Sequence, residues 1–405
     1  MKAKFKLFLL FTLLISASKI KSQSIQQIGY YNVNGVTALS SKSGYMVLGT
    51  GAVVSLANPT LPSLSGNISL SSLGSSVHVS GNYAYFGTAM NVNLIIAEIT
   101  NPNFPLQVGI KSFPAASNGI FGMVKNDNVL YLAMGTDGVY SVDVSNPAIP
   151  VVIDSMAIMG GQARDIVQYA NVAFVAHSSG LKILNINDPS NINLISSIGS
   201  GYTSIDIDTL NNYVFLGKDA GGIDVFNISN PQTPVPLFSI PNPNGTAWDI
   251  KYRDGLLYLA TNNSGLFIYK VLSASATQMA NFPNTSNGQS FAVSLQDSLI
   301  LLSGLINGVA ILHYDSLGTN GVNDEIQNDE IILYPNPAGD YLEIAKNIEP
   351  FTEFEIINPL GQCILKNTFD NESKRIDLSF LQNGNYHILL KNKSSISKRG
   401  FIKLN

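Results

Sequence analysis

Gly138-Val139-Tyr140-Ser141-Val142-Asp143-Val144-Ser145-Asn146-Pro147 returns, with small changes, as Gly222-Ile223-Asp224-Val225-Phe226-Asn227-Ile228-Ser229-Asn230-Pro231. Each copy is an apolar-rich run of strand length that stops at a turn signal, so each reads as one strand and the corner after it. Equivalent corners fall at Asn58-Pro59, Asn101-Pro102 and Asp188-Pro189. Upstream of this segment lies another recurring strand, seen at Val47-Leu48-Gly49, Tyr85-Phe86-Gly87, Tyr131-Leu132-Ala133, Phe174-Val175-Ala176, Phe215-Leu216-Gly217, Tyr258-Leu259-Ala260 and Leu301-Leu302-Ser303. The repeat is about 43 residues long and holds four strand-length runs, which is the size of a propeller blade. A helical solenoid of similar period needs 3.6-residue apolar spacing and good helix formers, and these units have neither.

The seventh unit stops after Ile311-Leu312-His313-Tyr314, and Ile25-Gln26-Gln27-Ile28-Gly29-Tyr30-Tyr31 precedes the first unit with no three strands before it. Pairing the two closes a ring and leaves no open end of the array. The fold class expected is therefore all-β: a seven-bladed β-propeller over 23–318, followed after an acidic linker at 319–330 by a small immunoglobulin-like β-sandwich over 331–405.

Composition agrees with this division. Charged residues make up 12% of the 405-residue chain, against roughly 25% in ordinary soluble proteins. The net charge of -4 argues against a partner bound through phosphate contacts, so no nucleic acid is expected. Within 23–318 there are nine Lys or Arg and fifteen Asp or Glu, but 331–405 packs nine and eight into a quarter of the length. Lys2, Lys4 and Lys6 followed by the apolar run Leu7–Ile15 and small residues read as a signal peptide over 1–22, cut near Ser18 or Ser22. The run is too short for a transmembrane anchor. Cys363, the single cysteine, permits no internal disulfide.

The repeating units resemble the LVIVD repeat family of bacterial and archaeal surface proteins, with residues 131–150 the nearest match, and the resemblance implies a propeller without a settled activity. Units one, six and seven depart from it. The C-terminal segment carries Tyr334-Pro335-Asn336-Pro337, a turn at Gly361-Gln362, the strand start Gly384-Asn385-Tyr386 and the basic tail Lys398-Arg399-Gly400-Phe401-Ile402-Lys403. This ordered set resembles the type A C-terminal sorting domain of the type IX secretion system. The resemblance implies a secreted or surface-attached protein, with that machinery and its sortase as partners.

Chemistry is sparse. His78, His177, His313 and His387 have no metal-ligand spacing, and Cys363 has no base partner. Nine residues before the residue that opens each recurring strand stand Ala38, Ser76, Gly122, Asp165, Asp206, Asp249 and Ala292. Small residues suit a crowded axis, so three neighbouring carboxylates need an explanation. They either accept N–H groups of an adjacent blade or converge on a cation such as Ca2+, with Asp208 as a helper or Arg164 as a neutraliser. Trp248, next to Asp249, is the one tryptophan available for stacking a sugar. The function expected is a binding or adhesion module for a surface protein or glycan; the alternative is a calcium-dependent propeller hydrolase or lactonase. Short Asp-Ser/Thr-apolar triplets at Asp154, Asp208, Asp297 and Asp315 look like an O-glycosylation sequon, a pattern too loose to carry weight.

Overall fold

A computed structural model of the chain describes residues 24–315, apart from 117, 220, 242–244, 284–288, 305 and 307, and residues 333–404, apart from 336–337, 345–351, 358–362, 370–374 and 392–395. The expected signal peptide and acidic linker lie outside the described residues. Two compact units form, one over Lys21–Gly318 and one that includes Thr319–Asn405.

The larger unit holds seven four-stranded antiparallel sheets among the described residues. Six are built from consecutive strands. In the seventh, Ser24–Tyr31 lies against Gly308–Asp315, from the pair Ser24 and Asp315 to the pair Tyr31 and Val309. The first strands of successive sheets, Leu39–Lys42, Gly74–Ser80, Gly122–Asn126, Ala163–Tyr169, Tyr202–Asp208, Ala247–Arg253 and Ser290–Gln296, touch in a circuit that returns to its start. Seven sheets facing one another around an axis is the geometry of a β-propeller.

Turn chemistry explains why each unit folds alike. In six sheets the first two strands are joined by two-residue turns, and the first turn residue takes a left-handed φ of 47° to 59° at Ser43, Gly81, Asp127, Ala170, Asp254 and Asp297. That twist matches the twist of the strands it joins. At the corners after the third strand, the side-chain oxygens of Asn58, Asn101, Asn146, Asp188 and Asn230 accept the N–H two residues on, at 2.9 to 3.2 Å. This short loop replaces the strand, because the proline that follows has no N–H to give a ladder.

Every fourth strand also carries one unpaired residue at the same place in its register: Ile28, Ser65, Val108, Ile153, Ile195, Leu237 and Met279. That Ile28 falls in this series shows that Ser24–Tyr31 is the fourth strand of its sheet in detail as well as in pairing. The residue after the bulge meets the corner of the next sheet. A Cβ on Gly29 or on Gly109 would sit 1.9 Å from the carbonyl oxygen of Pro59 or Pro147, so only glycine lets the two backbones come this close. In the third and fourth sheets, where the position is Asp154 and Ser196, a side chain makes the link: Asp154 accepts the N–H of Ile192 at 2.8 Å, and Ser196 donates to the carbonyl of Gln232 at 3.2 Å. Between sheets the faces are filled by clusters such as Phe174, Ile183, Tyr202, Ile205 and Leu216, all 1% exposed or less.

The smaller unit has a three-stranded and a four-stranded sheet. Its core is Leu342, Ile344, Phe354, Ile356, Ile376, Leu378, Ile388, Leu390 and Phe401. The strand Ile396–Lys403 pairs along its whole length with Gly384–Lys391, and Lys403 also forms a parallel bridge with Ala338.

Candidate functional site at the propeller axis

The innermost strand of each sheet has one edge paired to the second strand and the other turned to the axis, where backbone groups need partners from elsewhere. Side chains of the preceding sheet supply them. Thr37 donates to the carbonyl of Gly74 at 3.1 Å. Ser75 and Ser76 both donate to that of Ile120, and Thr203 and Ser204 both donate to that of Ala247, all at 2.6 to 2.8 Å. Ser41 and Ser294 share a hydrogen bond of 2.7 Å between the first and last sheets.

The three aspartates belong to this belt. Asp165 Oδ2 accepts the N–H of Ile205 at 3.1 Å, Asp206 Oδ2 that of Tyr252 at 2.6 Å, and Asp249 Oδ2 that of Val293 at 2.9 Å. Each carboxylate thus reaches the neighbouring sheet's amide, the first of the two arrangements the sequence allowed. Among the described residues, no three His, Cys, Asp or Glu side chains form a group that could hold a metal ion. The three aspartates, expected to share a cation, stand here as acceptors between neighbouring sheets.

Three expectations differ from what the structure shows. The three aspartates do not occupy one column, because Asp165 pairs with Ala176 and Asp249 with Ala260, but Asp206 pairs with Phe215 and it is Ser204 that meets the equivalent Gly217. The hairpin of the fifth sheet has a four-residue turn, 209–212, so counting back from its second strand lands two residues too far along the first. Asp208, expected as a helper, closes that longer turn: its Oδ1 accepts the N–H of Leu210 and Asn211, and its Oδ2 accepts from Asn211 Nδ2 at 2.7 Å. Burial pushes Asp208 up, but bonds from Tyr252, Asn211 and the turn amides outweigh it and hold the carboxyl below its usual range. Arg164 does not neutralise Asp165; it pairs with Asp219 at 2.9 Å.

The neutralising charge is Lys251, which the sequence reading passed over although it stands two residues from Asp249 on the same strand face. Its Nζ lies 3.0 Å from Asp249 Oδ1 and 3.1 Å from the carbonyl of Ile250. Enclosure alone would lower this ammonium, but Asp249, Asp206 and Asp165 together hold it above the ordinary lysine value. The side chain stays 39% exposed, so the cluster is surrounded by strands yet open to solvent along the axis. Burial raises Asp206 and pushes the Asp165 carboxyl up to about 7, against the pull of Lys251. His78, on an inner strand of the second sheet, is pushed down to about 4 by burial and by Lys125 and Lys251.

The other residues singled out by sequence are scattered. His177 is fully buried, with Nδ1 accepting from the Ser179 amide at 3.1 Å, and burial holds it at about 4. His313 lies 3.3 Å from the carbonyl of Ser298. In the smaller unit, Tyr334 pairs with Glu343, Pro335 follows it exposed, and Gly384 opens the strand in which Tyr386 stacks on Phe401 at 5.7 Å. Asn336, Pro337 and Gly361 lie outside the described residues, as does the side chain of Cys363.

The LVIVD repeat matches residues 74–110, 126–157 and 160–199, and the secretion system C-terminal sorting domain matches residues 332–403. The chain carries LVIVD repeats and a type IX sorting tail. That tail marks it for type IX export to the cell surface or for secretion, and among the described residues no helix is long and apolar enough to cross a membrane. No curated protein matches the chain. Solved structures similar to this LVIVD-repeat chain include the RRP9 WD40 repeats, at 10% identity and a TM-score of 0.56, covering 73% of this chain and 99% of that one. U3-55K follows at 11% identity and 0.56, covering 71% and 98%. The computationally designed Ika8 protein is similar at 10% and 0.51, covering 93% and 99%. At these identities the likeness concerns the fold alone.

Substituting Lys251 tests the axial arrangement. Lys251→Met should destabilise the propeller by about 2 kcal/mol, less than a fully buried ion pair because water reaches the site. Asp165 titrates near 7 in the fold and 3.8 outside it, so the fold keeps a proton that the unfolded chain loses. Stability from this group therefore falls as pH rises from about 4 to 7 and then levels. His78 and His177 act in the opposite sense, but only below 6.5. Without Lys251 the carboxyls rise further, and the fall should continue past pH 7. Urea melts between pH 6.5 and 8.5 would show this, and parallel profiles for variant and parent would refute it.

Proposed function

We propose that the exported propeller is a non-enzymatic binding module of the cell surface, engaging its ligand through the end of the ring where the inner strands begin. The observation that supports this reading is that the polar side chains around the axis are committed to holding the sheets together: the aspartates to amides and Lys251, the serines and threonines to carbonyls. Groups so engaged act as structure, and the scaffold leaves ligand contact to side chains at its rim and mouth. The sorting tail delivers the module, and a sortase of the same machinery removes it.

The test compares two activities of the secreted chain. Binding to intact cells or their surface polysaccharide is expected. Turnover of a panel of lactones and esters is expected to be absent with or without calcium. Hydrolysis that disappears on adding chelator would overturn the reading in favour of a calcium-dependent enzyme.

A further inference from the structure

Five of the inner strands carry a second kind of bulge, at the end opposite their hairpin turns. The register skips Ser75, Arg164, Thr203, Trp248, and Phe291 with Ala292. A bulge turns the extra side chain toward the face its successor occupies. In the second and fifth sheets this adds a hydroxyl to the clasp on the next sheet, as the paired bonds of Ser75 with Ser76 and of Thr203 with Ser204 show. In the fourth, sixth and seventh sheets the same position holds Arg164, Trp248 and Phe291, which make no such clasp.

These large side chains follow one another around the same end of the propeller, on its fourth, sixth and seventh inner strands. The Trp248 ring lies 5.4 Å from that of Phe291, tilted by 40°. Arg164 reaches across to Asp219 in a loop of the fifth sheet, and the carbonyl of Asp219 accepts the Thr246 hydroxyl at 3.1 Å, two residues before Trp248. Trp248 is 38% exposed and the Asp219 side chain 53%. A large aromatic ring with more than a third of its surface open to water keeps apolar area that folding has not used, at the same end of the propeller as an exposed ion pair.

We propose that this mouth binds a neutral pyranose unit of a surface glycan, its apolar face on Trp248 and its hydroxyls on Asp219 and Arg164. The inference rests on the binding-module reading and names its ligand class. Arg164 and Asp219 cancel in charge, which disfavours a strongly acidic or basic partner. Together they offer a planar fork of donors and a carboxylate acceptor, as vicinal hydroxyls require. The aromatic face supplies the contact for the C–H side of the ring.

Because Trp248 is the only tryptophan, its fluorescence reports the site directly. The full secreted chain is titrated with neutral oligosaccharides: gluco-, manno-, galacto- and N-acetylglucosamine oligomers. At least one should shift the emission and saturate. Calorimetry with the same sugar should show affinity reduced at least tenfold in Trp248→Ala and in Asp219→Asn, each still giving a cooperative melt; should the first fold poorly, the second still decides. Sugar binding that both variants retain would overturn the site while leaving the binding module standing. Failure of the whole sugar panel, with a protein captured from the cell surface instead, would overturn the ligand class. Chelator-sensitive turnover would remove the reading on which both depend.

Discussion

Deleting Ser24–Tyr31 should lower the melting temperature of the mature chain by roughly 10 to 20 °C and make the product aggregate. The segment places Ile25, Ile28 and Tyr31 against the clusters of the seventh and first sheets. At about 1.5 to 3 kcal/mol for each well-buried side chain, and less here because burial is partial, the loss is about 4 to 6 kcal/mol. A folded domain has only about 5 to 15 in all. The deletion also removes the seat of the Pro59 corner at Gly29 and turns Gly308–Asp315 into an exposed apolar edge, a template for pairing with other chains. Circular dichroism melts of the two forms decide the matter, and equal midpoints would show that the ring does not depend on its first strand.

Removal of residues 331–405 should abolish surface delivery, with at least a tenfold loss from the surface and medium and accumulation inside the cell envelope. The sorting domain match runs over 332–403, and this unit has its own core, so the propeller it leaves behind should melt unchanged. Unaltered folding is what separates a lost address from a lost structure. Fractionated cells probed for the propeller give the answer; undiminished surface protein would mean that the address lies elsewhere.

The ring was legible in the sequence because each sheet repeats its turn chemistry: left-handed two-residue hairpins, Asn-Pro corners and a small residue closing the second strand. Ile25–Tyr31 was legible as the missing strand by subtraction. The axial site was harder to read. Counting residues assumes equal turns, and the fifth sheet's four-residue turn moved Asp206 out of the column to which Asp165 and Asp249 belong. Lys251 was within reach of the alternation rule, since Asp249 and Lys251 share a strand face; a cluster of acids suggests a bound metal, but the cation facing Asp249 here is covalently part of the chain. The inner-strand bulges had no signal at all. Ser75, Arg164, Thr203 and Trp248 have no residue type in common, and a bulge is set by how two strands meet.

The pairing of Ser24 with Asp315 fixes an order of events in time. The first strand made is the last to find its place, because its partner leaves the ribosome, and then the inner membrane, some 290 residues later. Throughout that interval six sheets can form in sequence while the opening strand waits without a neighbour, and closure falls at the end, just before the sorting tail emerges. A chain arrested midway would therefore be left as an open array of sheets, with its first strand still unpaired.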